Sequence, residues 1–219
     1  VGLPVGHRDN ALFYAPLVGT PRNTTAPAEA DIVAFGGQRP WVSTDFGDHW
    51  ESIPNNSSAD DLPSAILSLA FATATRLYAA TTGGQSYRFD KSGATWSSIR
   101  IDASPLLVGP VTDIAVDPSD SNSIYITLGG TGDYRHVWHF DGTQWQQRSG
   151  PVAGSASSLL DVQYNAIVVD PSHTNHLYAG ADIGVWFSTD GGANWSTFSN
   201  GLPDAAVLDL KLHNIRRLL

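Results

Sequence analysis

Four tryptophans, at positions 50, 96, 145 and 195, stand 46, 49 and 50 residues apart, and each has a glycine three positions before it: Gly47, Gly93, Gly142 and Gly192. The first and last belong to one octapeptide pattern, S-T-D-x-G-x-x-W, written as Ser43, Thr44, Asp45, Phe46, Gly47, Asp48, His49, Trp50 and as Ser188, Thr189, Asp190, Gly191, Gly192, Ala193, Asn194, Trp195. The middle copies, FDKSGATW ending at Trp96 and WHFDGTQW ending at Trp145, keep the glycine and the tryptophan, while the aspartate has slipped to Asp90 and Asp141. A repeat of this kind constrains the fold strongly, because each copy must be one supersecondary unit that buries its apolar face against its neighbours.

The residues before each octapeptide repeat too. VTDIAVDPSDSNSIYITLGG in the third unit aligns with YNAIVVDPSHTNHLYAGAD in the fourth, and ILSLAFATATRLYAATTGG in the second fits both. Runs of β-branched and aromatic residues bounded by Gly, Pro, Asn and Asp read as strands, and no segment sustains a helical period. Four strands per unit at a period near 48 predict an all-β protein of β-propeller blades, each a four-stranded antiparallel sheet.

Composition agrees and narrows the function. The chain has 219 residues and carries 12 Lys+Arg against 21 Asp+Glu, a formal charge of −9. That balance argues against a nucleic-acid partner, which needs a basic face, and against an anionic membrane surface. No apolar run reaches the roughly 20 residues of a membrane helix. With no cysteine, disulfides, thiolate metal sites and cysteine nucleophiles are excluded. The sequons at Asn23, Asn55, Asn56 and Asn194 are frequent by chance in so Ser/Thr-rich a chain.

On these octapeptides, nearly the whole chain resembles the Asp-box (BNR-repeat) β-propellers, a family that includes sialidases, xyloglucanase-type glycoside hydrolases, sortilin-like receptors and photosystem assembly factors. The resemblance implies that the boxes are scaffold, lying on the face away from the site. Ser43, Asp45, Gly47, Trp50, Gly93, Trp96, Gly142, Trp145, Ser188, Asp190, Gly192 and Trp195 are therefore expected to be structural. The glycines would supply a positive φ, the carboxylates would accept turn amides, and the rings would be buried beneath the turns. The resemblance also implies a secreted or periplasmic location. The sialidase Arg-Ile-Pro signature is absent, and no arginine triad can be assembled.

The expected blades run over about 11–54, 66–101, 111–149 and 164–199, with an incomplete fifth at 207–219. The expectation is therefore a single partial propeller over 1–219, completed by further blades of a parent protein or by a second chain, because open sheet edges are avoided.

The candidate site lies in the loops between second and third strands. The third of these is the longest and most polar and brings together Asp133, Tyr134, Arg135 and His136, a mixture suited to sugar hydroxyls and C–H faces. Arg39, Gln85 and Asp182 stand in the equivalent loops of other units. If the chain hydrolyses glycosides, the paired carboxylates are expected to be Asp133 and Asp182, with Asp161 behind. Trp41, Tyr87 and Trp186, each nine residues before a box tryptophan, read as core. His136 takes that position in the third unit, with Trp138 two residues on, and this departure from the repeat is the best local pointer to function. His49, His173 and His176 read as surface polar residues, and neither a metal site nor a cofactor is expected. The expected function is a module binding a carbohydrate or a protein. The alternatives are a piece of a xyloglucanase-like glycoside hydrolase and an assembly scaffold without ligand.

Overall fold

The computed structural model of the chain describes residues 11–21, 32–54, 61–102, 109–133, 135–198 and 200–212. Sixteen strands form four antiparallel four-stranded sheets, and the described residues include no helix. The first sheet contains β1 (Leu17–Gly19), β2 (Val33–Gly36), β3 (Pro40–Ser43) and β4 (Glu51–Ser52); the second contains β5 (Ile66–Thr73), β6 (Arg76–Thr81), β7 (Ser86–Ser92) and β8 (Thr95–Arg100). The third contains β9 (Val111–Asp117), β10 (Asp120–Leu128), β11 (Val137–Phe140) and β12 (Trp145–Gln147); the fourth contains β13 (Tyr164–Asp170), β14 (His173–Ala181), β15 (Gly184–Ser188) and β16 (Ser196–Thr197). Each is a meander in chain order, the topology of a propeller blade. Residues 207–212 belong to no strand, and 213–219, the rest of the expected fifth unit, lie outside the described residues.

Residues 1–111 and 112–219 form two compact units. In the first, Ala34 and Val42 of one sheet, with Ile53 just beyond β4, pack with Ile66, Leu69, Phe71, Leu77, Phe89 and Trp96 of the next. In the second, Tyr125 and Val137 pack with Tyr164, Ile167, Leu177, Trp186 and Trp195, and Leu159 from the connecting segment joins them. Tyr87 is packed against the first core, and Trp41 is buried, so the aromatics nine residues before the box tryptophans are core residues.

The octapeptide turns are built from their own side chains. The Ser188 hydroxyl donates to Asp190 Oδ1 at 2.8 Å and accepts from the Gly192 amide at 2.9 Å, while Asp190 accepts the Asn194 amide and side chain, each at 2.8 Å. Ser43, Asp45, Gly47 and His49 repeat this pattern. Gly47 has φ 102° and Gly192 φ 84°, the left-handed region a Cβ disfavours. In the third sheet the slipped Asp141 does equivalent work one step along, accepting the amides of Thr143 and Gln144, both at 2.9 Å. Asp90 differs: the second sheet closes with a two-residue turn between Ser92 and Thr95, and Asp90 instead accepts from Arg76 at 2.6 Å and Arg88 at 2.8 Å. Trp96, Trp145 and Trp195 are buried. Trp50, expected to be buried as well, is only partly covered, and its ring meets Phe35 edge-on.

Candidate functional site

The segment from Arg148 to Val162, which connects the third sheet to the fourth, organises the site. Its start is clasped by the last octapeptide turn: Trp195 Nε1 donates to the Arg148 carbonyl at 2.7 Å, and the Gly150 amide to the Gly192 carbonyl at 3.1 Å. The Leu159 amide then returns to the Ser149 carbonyl at 2.9 Å, pinning a compact loop. The far side of this loop and the start of the 129–136 loop enclose an open recess of about 400 Å³ lined by Gly132, Asp133, Ala153, Gly154, Leu159, Leu160 and Asp161. Gly192 and Trp195 thus brace the start of the segment whose later residues form the wall, and no octapeptide residue lines the recess itself.

Both acids in the wall are held by specific partners. Arg135 grips Asp133 from two nitrogens, its Nε lying 2.9 Å from both carboxylate oxygens, and its backbone amide donates at 3.0 Å. The hydrogen bond from the Arg135 side chain is the main cause of an Asp133 carboxyl held below the usual carboxylate range, against the upward push of burial. The Arg135 carbonyl accepts from Trp138 Nε1 at 2.9 Å, so the tryptophan beyond the repeat position fixes the loop's return. Asp161 accepts the Gly132 amide at 2.9 Å on each oxygen and faces His136 Nε2 at 3.3 Å.

His136 is buried, with Nδ1 3.2 Å from the Leu128 carbonyl and its ring 5.1 Å from that of Tyr164. It supports Asp161 from beneath and does not line the recess. Burial pushes the Tyr164 hydroxyl well above its ordinary range. Tyr134 lies outside the described residues.

The remaining sequence candidates are placed elsewhere. Asp182 is exposed and accepts from Asn165 Nδ2 at 2.9 Å, and it is not part of the recess wall. Arg39 is buried and held by Asp61, with Nε 2.8 Å from the carboxylate. Gln85 braces its own loop, accepting from Thr81 Oγ1 at 2.6 Å and Ser64 Oγ at 3.0 Å and donating to the Gly83 carbonyl at 2.9 Å. Their polar groups are taken up by loop architecture. The acid that joins Asp133 is Asp161, which lies 28 positions later and outside any strand 2–3 loop. Sequence spacing also gave no metal cluster, yet the fold gathers Asp170, His173 and His176 with donor atoms all within 4.8 Å of one another. The signal was the H-x-x-H spacing at the Asp-Pro turn, which a regular strand would have split between two faces.

No family model matches the chain. Over 198 residues it is 25% identical to the xyloglucanase Xgh74A of Acetivibrio thermocellus, a match covering 84% of this chain and 20% of that protein. The chain therefore spans about a fifth of the length of this curated relative. Among solved structures it is similar to an ancestral GH74 enzyme, with TM-score 0.61 and 19% identity over 94% of this chain and 27% of that one. It is also similar to the GH74 xyloglucanase of Xanthomonas campestris, with TM-score 0.59 and 19% identity over 83% and 29% of the two chains. These likenesses show the fold, an all-β arrangement of propeller blades.

Proposed function

We propose that this chain is a carbohydrate-contacting part of a propeller that acts on xyloglucan-type glycans, and that the recess between the 129–136 loop and the 148–162 segment is its contact surface. The observation that carries this reading is the placement of two ionisable carboxylates, Asp133 and Asp161, in the wall of one open recess whose other lining residues are glycine or apolar. Carboxylates accept hydrogen bonds from sugar hydroxyls, the Arg135 guanidinium donates to them, and Leu159, Leu160 and Ala153 offer surface to sugar C–H faces. The sequence similarity to a xyloglucanase supports this ligand class over others. The same similarity favours a location outside the cytoplasm.

A second reading, hydrolysis, is favoured by the same similarity, but glycoside hydrolysis needs one carboxylic acid kept protonated to give its proton to the leaving group. Asp133 cannot be that acid at neutral pH, because Arg135 holds it ionised. It suits the role of base or of a positioning anion, and Asp161 is the other candidate. The test is calorimetric titration of the chain with xyloglucan oligosaccharides, with Asp133→Ala and Asp161→Ala beside it. Each variant is expected to weaken binding at least about tenfold, roughly 1.4 kcal/mol. Variants that bind as the unmodified chain does would remove the recess from consideration, and failure of every glycan to bind would leave the scaffold reading. Release of reducing ends from soluble xyloglucan would establish hydrolysis.

A further inference from the structure

A second cluster of chemistry stands apart from the recess, at the turn joining β13 to β14. Asp170 pairs with His173 across a two-residue Pro171-Ser172 turn, and the next pair along is Val169 with Leu177. Between these pairs β13 advances one residue and β14 advances four, so Thr174, Asn175 and His176 arch out as a bulge. In a regular strand, side chains three apart point to opposite faces. The arch cancels that alternation and brings His176 back over His173, with ring centroids 4.8 Å apart and planes 17° from parallel. Asp170 Oδ1 accepts the Ser172 amide at 2.8 Å, and Oδ2 faces His173 Nδ1 at 3.7 Å.

The repeat shows that the turn itself does not need imidazoles. The corresponding residues of the third sheet are Asp117, Asp120 and Ser123. There Asp117 accepts from Ser119, Asp120 accepts from Asn122, and the Ser123 hydroxyl meets His139 Nε2 at 2.8 Å. All three are absorbed by the turn and the neighbouring strand. In the fourth sheet two of the three positions carry histidine, His173 is exposed and His176 half-buried, and neither fills a core.

The geometry points to a divalent transition-metal site, of the zinc class, formed by Asp170 Oδ2 and one nitrogen each of His173 and His176, with water completing the coordination. Tetrahedral zinc with bonds of about 2.0–2.2 Å holds its ligand atoms about 3.5 Å apart. The His173–Asp170 separation of 3.7 Å already meets this. All three donors lie within 4.8 Å of one another, so closure asks for about 1 Å of approach, together with rotation of the stacked rings so that their in-plane lone pairs converge, at an accessible turn. Two imidazoles and one carboxylate select zinc, nickel or copper over calcium or magnesium, which prefer oxygen ligands throughout. The bound ion would stiffen more than the turn, because the Asn175 carbonyl at the crest of the arch accepts the Gly191 amide of the adjoining octapeptide at 2.8 Å.

The test is calorimetric titration of the chelator-treated chain with zinc chloride, with magnesium and calcium chloride as parallel runs. One zinc per chain is expected, with no saturable heat from magnesium or calcium. His173→Ala and His176→Ala should each weaken zinc binding at least tenfold. His49→Ala, which removes an exposed imidazole beside another carboxylate, should leave it unchanged. Long-range proton–nitrogen spectra of the imidazoles in the unmodified chain provide a readout that needs no variant, and zinc should move the signals of His173 and His176 alone. Absence of saturable zinc binding, binding that survives both substitutions, or movement of other histidine signals would overturn the assignment.

Discussion

Trp195 and Trp50 occupy the same position in two copies of one octapeptide, and the structure predicts very different consequences for removing them. Trp195 is 1% exposed, packs in the core between the third and fourth sheets, and donates through Nε1 to the Arg148 carbonyl at 2.7 Å. A buried tryptophan withdraws about 150–250 Å² from water, which at about 25 cal/mol per Å² corresponds to roughly 4–6 kcal/mol. Partial collapse of the cavity lowers the cost usually measured for such truncations to about 3–5 kcal/mol. Trp195→Ala is therefore expected to destabilise the chain by about 3–5 kcal/mol. Trp50 is only partly buried, so Trp50→Ala should cost less by at least about 1 kcal/mol. Urea unfolding followed by far-ultraviolet circular dichroism reads both without relying on the fluorescence of the deleted rings. A Trp195→Ala cost below about 1 kcal/mol, or one no greater than that of Trp50→Ala, would refute the view that the last octapeptide anchors the connecting segment.

The two octapeptide glycines should separate in the same way. A Cβ at Gly192 would stand 2.5 Å from the Arg148 carbonyl oxygen at φ +84°, whereas one at Gly47 meets the Trp50 ring no closer than 3.8 Å. Gly192→Ala should therefore cost about 2–4 kcal/mol by strain plus overpacking, and Gly47→Ala about 1–2 kcal/mol by strain alone, read from thermal melts. Acid should weaken the turns: Asp141 is held below the usual range, chiefly by the Thr143 hydroxyl and then the Gln144 amide, and Asp45 chiefly by the His49 amide. A carboxyl whose folded value is depressed contributes stability that is present above its unfolded pKa, about 3.9, and lost as pH falls below it. Asp141→Asn should therefore flatten the acid limb of the melting temperature below about pH 4, and an unchanged slope there would exclude this source. Asp190→Asn should cost far less than Trp195→Ala, because an amide oxygen still accepts the Asn194 amide, and equal losses on thermal melting would contradict this.

How much of this was legible in the sequence follows from how local each determinant is. The Trp and Gly spacing, the strand alternation and the turn residues marked four meanders, because hairpin partners lie within a few residues and each octapeptide satisfies its own amides. Even the slipped Asp141 was visible as a displaced copy. What escaped were pairings of groups distant in sequence. Arg39 reads as a loop cation, and only folding delivers Asp61 to its guanidinium, 22 positions away. Asp133 and Asp161 come from a loop and a connecting segment 28 positions apart, and they share a recess because Trp195 and Gly192 clasp that segment. Asp170, His173 and His176 are neighbours in sequence, but a register shift decides that they meet. Periodicity specifies which face of a strand a residue occupies only while the register is regular. Bulges and long-range clasps are settled by the packing of whole sheets, so the scaffold was written locally and the sites arose where locality ended.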